Sequence, residues 1–279
     1  MNVSIVIPVY NEALELEACL QAIAAQTVRP LEVIVVDNNS TDSTRAVAGR
    51  YDFVTLLSEA KQGVVHARTT GFNAASGEII GRIDADTLLP EDWVQKIQKV
   101  FQNPTIDAVS GSAQYYDLSA AHLFNAGDVR LRRYLARRLK GSLYVWGANM
   151  ALRKAAWQRI QHDVCYQNGV HEDYDIGLHL QQHGFAVVFN EDLKVGVSCR
   201  RINVSYLEFM RYTWASPRTY AQHHAGHQLV WYLVVAMAAF TYLPWHIMHR
   251  GYDPQKRRFT LRQLLENTSS RVDPTTNVV

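Results

Sequence analysis

Four short apolar runs, separated by segments with helical spacing, restrict what the first hundred residues can fold into. The runs are "VSIVIPVY" (3–10), "LEVIVVD" (31–37), "FVTLLS" (53–58) and "GEIIGRID" (77–84). They are rich in β-branched residues, as expected of parallel strands that are buried on both faces. The segments between them place apolar residues at helical intervals. This alternation predicts an α/β fold, with a mostly parallel sheet flanked by helices.

Bulk composition narrows the class of protein further. The chain has 279 residues and a formal net charge of +2, so it has no protein-wide basic field and no nucleic acid is expected as a partner. The three cysteines, Cys19, Cys165 and Cys199, are far apart and odd in number, which predicts free thiols and a reducing, cytoplasmic location. The first residues, "MNVSIVIPVY", have a strand pattern at once, and no signal peptide is expected.

Carboxylates follow two of the predicted strands directly. Asp37 ends the second run, and Asp84 and Asp86 follow the fourth. Ligands of open α/β sheets bind beyond the carboxyl ends of the strands, and paired carboxylates suit a hard divalent cation. The alternative interpretation is a solvated turn, because Asp is common at strand ends.

The segment after Asp107 is less regular but contains further elements. It predicts a strand in "DAVSGSAQYYD", a basic helix in "DVRLRRYLARRLKG", a helix in "GVHEDYDIGLHLQQHGF" that ends at Gly184, and a last strand in "AVVFNEDLKVGVS".

Five segments in this order resemble a family 2 glycosyltransferase of the GT-A fold. They are "VSIVIPVYNE", "VIVVDNNSTDST", "GEIIGRIDADT", "WGANMALRK" and "HEDYDIGLHL", and together they cover about Val3 to Arg201. The resemblance implies an inverting transfer of sugar from a nucleotide-diphosphate sugar donor to an acceptor hydroxyl.

The resemblance also implies a divalent cation, Mg²⁺ or Mn²⁺, beneath the diphosphate of the donor. Asp86 matches the direct metal ligand, and Asp84 matches a residue that contacts the ribose or reaches the metal through water. The cation would act as a Lewis acid on the departing nucleotide.

Other matching positions are expected to bind the nucleotide. Pro8, Tyr10 and Glu12 resemble the wall around the base, Asp37 is placed to accept hydrogen bonds from a base or ribose, and Arg68 matches a basic position near the nucleotide. Simpler roles exist for three of them: Asp37 as a helix cap, Glu12 as a first-turn acid and Arg68 as a surface residue.

The Glu172–Asp173 pair resembles the acidic motif of the family, whose Asp is the catalytic base. Asp173 is the matching base and Glu172 its binding neighbour; in isolation, both could simply be first-turn acids. Gly147 and Asn149 in "WGANM" are expected to line the sugar pocket. His171 is expected to be exposed, with contact to an acceptor or phosphate as the alternative.

Two departures from the family pattern carry meaning. The Arg-Trp dipeptide of processive family members is absent, which favours transfer of a single sugar. The segment "VGVSCRR" lacks the late His that ligates metal in some relatives, and Cys199 in this segment is expected to be a packed residue. An inactive, membrane-associated scaffold that binds a sugar nucleotide is the main alternative. A nucleotidyltransferase fits less well, because the loop after the first strand has no glycine.

We divide the chain into a catalytic domain (1–205), a helical extension (206–267) with an apolar segment (228–246), and a disordered tail (268–279). The uncharged core of the apolar segment is about 15 residues, or roughly 22 Å of helix, and is short for a bilayer core of about 30 Å. Pro244 is expected to stop it.

Basic residues flank both ends of the apolar segment, Arg200 and Arg201 among them. This pattern predicts an interfacial or re-entrant helix at the inner face of the plasma membrane, with a buried core helix as the alternative. A location at the membrane would suit a sugar or lipid-linked acceptor in cell-envelope glycan or glycolipid synthesis. The basic helix could attract anionic lipid or bind an acceptor phosphate.

Overall fold

A central seven-stranded sheet organises the protein. The computed structural model describes residues 1–118, 121–253 and 258–259. The strands of the sheet are β1 Val3–Val9, β2 Glu32–Asp37, β3 Val54–Ser58, β4 Ile79–Arg82, β5 Ala108–Tyr115, β6 Met150–Arg153 and β7 Val187–Val197. A separate two-stranded ribbon is formed by β8 Tyr252–Asp253 and β9 Arg258–Phe259.

Helices connect the strands and form the carboxy-terminal part of the described chain. They are α1 Ala13–Ala24, α2 Thr44–Ala48, α3 Val64–Ala74, α4 Trp93–Phe101, α5 Ala121–Arg138, α6 Lys154–Ile160, α7 Glu172–Gln182, α8 Tyr206–Gln222 and α9 Gln228–Arg250. Short 3-10 turns occupy Gly147–Asn149 and Arg200–Asn203.

The strand order is β3-β2-β1-β4-β6-β5-β7, and all neighbours are parallel except those of β6. This confirms the predicted α/β class with a mostly parallel sheet. The sequence did not indicate that β6 runs antiparallel to both β4 and β5. The order changes direction beside β1, so the carboxyl ends of β1 and β4 form the crevice in which ligands of such sheets bind.

Strand periodicity divides the apolar core into two layers. Ile5 and Ile7 of β1 pack in the layer that contains Leu16 of α1, whereas Val6 points to the opposite layer with Phe72 of α3. Both layers are fully buried, so the sheet has no solvent-facing side at its centre. The strands therefore hold their carboxyl ends in fixed positions beneath the crevice.

The carboxy-terminal helices pack on the part of the chain that contains the sheet. A third apolar cluster joins α5, α7, α8 and α9 through residues that include Leu135, Leu178, Tyr220 and Trp231. The predicted extension is therefore in contact with the helix that carries Asp173. Its end beyond 259 and the predicted disordered tail (268–279) lie outside the described residues.

Pro244 does not stop the last helix, contrary to the sequence prediction, because α9 continues to Arg250. Proline removes one backbone hydrogen bond but leaves the surrounding packing in place. On either side of it, Tyr242 Oη donates to Val204 O at 2.6 Å, and His249 Nδ1 lies 3.0 Å from Asn203 Oδ1. These contacts fix both halves of the helix on the 3-10 turn beneath.

Candidate active site

A cleft of about 350 Å³ opens at the carboxyl ends of β1 and β4. Seven of the residues predicted for the site line it: Pro8, Tyr10, Glu12, Asp84, Asp86, Glu172 and Asp173. They come from three separate segments: the end of β1, the loop after β4, and the beginning of α7. The fold therefore brings most of the predicted site together.

A tight turn presents the two carboxylates after β4. Thr87 N–H donates to Asp84 O at 3.1 Å, and Asp84 N–H donates to Thr87 Oγ1 at 3.2 Å. The Thr87 hydroxyl also donates to Ala148 O at 3.3 Å, which ties this turn to the loop before β6. Asp84 and Asp86 are thus held by the turn while both line the cleft.

Arg82, the last residue of β4, links the two acidic motifs. Its Nη2 lies 2.9 Å from Asp84 Oδ1 and 3.1 Å from Glu172 Oε1, and the side chain is 6% exposed. Arg82 was not among the residues predicted from the sequence, although a charged side chain in a strand that is buried on both faces requires a partner and could have indicated it. Arg82 places one positive charge between carboxylates that are 88 positions apart in sequence.

Asp173 has two fixed hydrogen bonds at the beginning of α7. Its Oδ2 accepts from Gly147 N–H at 3.0 Å, and its Oδ1 accepts from Tyr174 N–H at 2.9 Å. Burial raises the pKa of Asp173, and the positive charge of Arg82 and these hydrogen bonds only partly oppose that effect. A raised pKa brings a carboxylate closer to the range in which a general base operates. Burial likewise raises the pKa of Glu172 against the opposing charges of Arg82 and Arg68.

Gly147 permits the close approach of Arg82 to this pair. A Cβ atom at Gly147 would lie 1.1 Å from Arg82 Nη1, and that guanidinium is already held by Asp84 and Glu172. Gly147 does not itself line the cleft, although its neighbours Trp146 and Ala148 do. Its place in the structure is beneath the site, where its N–H holds Asp173.

Three other predicted residues lie outside the cleft lining. Asp37 is buried and accepts from Arg45 Nη1 at 3.0 Å, and its predicted contact with a base or ribose stays a prediction. Arg68 is fully buried behind the site, with Nε 3.6 Å from Glu172 Oε2. Asn149 is fully buried and donates to Ser112 O and Leu193 O, so its amide stabilises the sheet rather than lining the pocket.

Arg200 holds three carboxylates at the rim of the site. Its Nε lies 3.1 Å from Asp86 Oδ2, its Nη1 lies 2.8 Å from Glu15 Oε1, and its Nη2 pairs with Glu12. This corrects the assignment of Arg200 to a basic flank of the apolar segment. Arg201 likewise faces the cleft, with its guanidinium 4.1 Å from the ring centroid of Tyr212.

The donor chemistry of the Asp84–Asp86 turn fits a hard divalent cation. Both carboxylates line the cleft, and oxygen ligands are those that Mg²⁺ and Mn²⁺ take. Each carboxylate is also paired, Asp84 with Arg82 and Asp86 with Arg200. A cation at this turn would therefore share the carboxylates with two guanidinium groups.

Two residues that line the cleft, Arg132 and His171, lie in positions that differ from the sequence predictions. Arg132 of α5, expected on a basic helix for lipid or phosphate, lies in the cleft with its guanidinium 4.0 Å from the ring centroid of Trp146. His171, expected to be exposed, is buried and donates its backbone N–H to Thr219 Oγ1 at 2.9 Å. Both placements depend on contacts between distant segments.

All three cysteines are free, as predicted.

Comparison with known proteins agrees with this geometry. The family model described as Glycosyl transferase family 2 matches residues 4–160, more than half of the chain. The chain belongs to this glycosyltransferase family.

A curated relative matches less than half of the chain. The glycosyltransferase AglE of Haloferax volcanii is 33% identical over 120 residues, which are 40% of this chain and 40% of AglE. The chain thus matches less than half of the length of this curated relative.

Two solved structures share the fold over most of the chain. The first is a mannosyltransferase from Pyrobaculum calidifontis in complex with GDP-Man and Mn²⁺, at a TM-score of 0.66 and 22% identity, covering 95% of this chain and 77% of the other. The second is S. aureus TarS 1-349 in complex with UDP-GlcNAc, at a TM-score of 0.59 and 16% identity, covering 90% of this chain and 80% of the other.

Proposed function

We propose that this protein transfers a single sugar from a nucleotide-diphosphate sugar to an acceptor hydroxyl, with inversion at the anomeric carbon. The observation that carries the proposal is the position of Asp173. Its carboxylate, with a raised pKa and two backbone hydrogen bonds, lines the same cleft as Asp84 and Asp86. A base and a cation-binding turn in one cleft suit one displacement between an acceptor and a diphosphate leaving group.

In the proposed reaction, Asp173 removes the proton from the acceptor hydroxyl while that oxygen attacks the anomeric carbon. A new glycosidic bond forms as the bond from the anomeric carbon to the diphosphate oxygen breaks, and the electron pair leaves with the nucleoside diphosphate. Because one displacement occurs, the configuration inverts. The hydrogen bonds from Gly147 and Tyr174 orient the carboxylate for this proton transfer.

A divalent cation is part of the proposal, with Asp86 as its ligand and Asp84 beside it. The cation, when bound, would neutralise charge on the departing diphosphate. The donor chemistry of the turn supports this role, as does the Mn²⁺ named with the mannosyltransferase of similar fold. Mg²⁺ and Mn²⁺ both suit carboxylate ligands.

Membrane association is proposed from the exposed face of α9. Among the described residues, α9 is the helix that is long and apolar enough to cross a membrane, on length and composition alone. Its buried residues Trp231 and Tyr242 face the protein, while Leu233 and Phe240 are 64% and 86% exposed. A mostly exposed helix does not support the alternative of a buried core helix.

The polar contacts of α9 favour an interfacial orientation over a span. Tyr242 Oη donates to Val204 O, and His249 Nε2 lies 3.3 Å from Asp117 Oδ2. A crossing helix would separate from these partners or draw them into hydrocarbon, where unpaired polar groups are costly. We therefore place α9 along the inner face of the plasma membrane, near a sugar or lipid-linked acceptor in cell-envelope glycan or glycolipid synthesis.

A screen of nucleotide sugars tests the proposed activity. Purified full-length protein is offered UDP- and GDP-linked sugars with Mn²⁺ or Mg²⁺, and release of nucleoside diphosphate is measured with and without candidate acceptors. We expect metal-dependent release from one donor class. Saturable donor binding without turnover for any acceptor would instead favour the inactive scaffold.

A further inference from the structure

A second cluster of metal-binding residue types lies on the other side of α7. Asp175 and His179 are one turn apart on α7, His223 follows the end of α8, and Cys165 lies in the segment between α6 and α7. One donor atom from each lies within 4.8 Å of the other three. None of these four residues is among those lining the cleft.

The separations between the donor atoms approach those of a tetrahedral site. His179 Nε2 lies 3.3 Å from Asp175 Oδ1, Cys165 Sγ lies 3.9 Å from His223 Nε2, and His223 Nε2 lies 2.8 Å from Asp175 Oδ1. Zinc bonds of about 2.0–2.3 Å place neighbouring ligands of a tetrahedron about 3.3–3.7 Å apart. The His179–Asp175 and Cys165–His223 separations lie close to this range, and His223 and Asp175 would have to move apart around an ion.

One buried nitrogen of the cluster lacks a well-aligned hydrogen bond. His179 Nε2 is buried and approaches Asp175 Oδ1 at 3.3 Å as an ion pair, without hydrogen-bond geometry. The carboxylate of Asp175 is completely buried. An imidazole nitrogen held by such a contact, beside a thiol, can take a metal ion as a further partner.

Neighbouring groups hold the donors from outside, as the outer contacts of metal sites do. Cys165 N–H donates to the other oxygen of Asp175, Oδ2, at 3.0 Å. Gln222 Nε2 donates to Cys165 Sγ at 3.3 Å. These contacts hold the carboxylate and the sulfur of the cluster in place.

We infer that Cys165, Asp175, His179 and His223 form a zinc site that ties α8 to α7. One sulfur, two imidazole nitrogens and one carboxylate oxygen suit Zn²⁺ better than Mg²⁺ or Ca²⁺, which prefer oxygen ligands. Four protein donors make the site closed, which is typical of structural zinc. The ion would fix the helix that begins with Glu172 and Asp173 to the carboxy-terminal helices. This inference does not depend on the proposed reaction.

Metal analysis of the full-length chain tests the site. Protein expressed with zinc and freed of loosely bound metal should contain about one zinc ion per chain by mass spectrometry, since a closed site binds tightly. Cys165→Ser and His179→Ala should lose this zinc, whereas His183→Ala, which removes an imidazole one turn away, should keep it. Equal zinc in the wild type and in both site variants would overturn the proposal.

Cobalt substitution of the wild type decides the question even where a variant folds poorly. The Co²⁺ protein should show a thiolate-to-cobalt charge-transfer band and the visible spectrum of tetrahedral coordination, and zinc should displace both. Absence of these bands in folded protein would overturn the proposal and leave Asp175 as the centre of a hydrogen-bond network.

The site must also be distinguished from the carboxylates of the cleft. Asp86→Ala should retain its zinc, and Cys165→Ser should retain metal-dependent nucleotide binding. Loss of zinc in Asp86→Ala together with its retention in Cys165→Ser would place the ion in the cleft and overturn the proposal.

Discussion

Asp173 is held by backbone N–H groups at both of its oxygens, so an amide can replace its carboxylate with little change of shape. We expect Asp173→Asn to keep donor affinity and to lower kcat by on the order of a hundredfold or more, because the general base is lost. Donor binding by calorimetry and single-turnover kinetics measure the two effects. Asp163→Asn, on an exposed residue, is the matched control. A kcat within a few-fold of the wild type would contradict the assignment.

The pKa of Asp173 predicts how the rate depends on pH. Burial raises this pKa and Arg82 opposes the rise. The base acts when deprotonated, so kcat falls as the pH decreases through the raised pKa. Removing the positive charge in Arg82→Met should raise the pKa of Asp173 further. The acid limb of the pH profile of kcat should then move to higher pH by about one unit or more.

Arg82→Lys is the companion variant, because it retains the charge and should keep the acid limb near its original position. Breaking a buried ion pair costs about 3–5 kcal/mol, so Arg82→Met is also expected to unfold at lower temperature. A pH profile of kcat that is identical in Arg82→Met and the wild type would show that Arg82 does not act on the base.

At the scale of the elements, α9 presents one face to the protein and the other to solvent. Leu233→Gln/Phe240→Gln removes two large apolar side chains from the exposed face. Full burial of such a side chain contributes about 1.5–3 kcal/mol, so partitioning to anionic vesicles should fall at least about tenfold. Sedimentation with vesicles measures this, and nucleotide binding should remain unchanged.

Leu14→Gln/Phe53→Gln is the matched control, since both residues are exposed on the catalytic part of the chain. Equal vesicle binding by both double variants would contradict the proposed contact between α9 and the membrane. Recovery of the wild type wholly in the soluble fraction, with no vesicle binding, would contradict membrane association and leave the transferase proposal intact.

At the scale of the whole molecule, cation and donor should stabilise the fold together, because a ligand that binds only the native state shifts the unfolding equilibrium. Addition of the nucleoside diphosphate with Mn²⁺ should raise Tm, and excess chelator should abolish that increase. Asp86→Ala should lose the response to Mn²⁺, whereas Asp92→Ala, at an exposed pair with Lys96, should keep it. A full nucleotide response of the wild type in chelator would exclude a required cation.

Local sequence patterns were enough to predict the strands and helices of the first hundred residues and the carboxylates at the strand ends. Apolar runs and helical spacing are local, so β1 to β4 and their helices lie close to their predicted positions. Parallel strands bring their carboxyl ends to one edge, which is why the residues after β1 meet Asp84 and Asp86 in the cleft, whereas Asp173 reaches it from the beginning of α7.

Which charged groups pair with one another depended on the tertiary structure. Arg200 pairs with Asp86 across 114 positions, and His223 reaches Asp175 from the end of another helix. Local periodicity specifies the face of an element on which a residue lies, but not which residue of a distant element opposes it. Long-range contacts therefore decided the surroundings of Asp173, the antiparallel direction of β6 between β4 and β5, and the cluster for which we propose zinc.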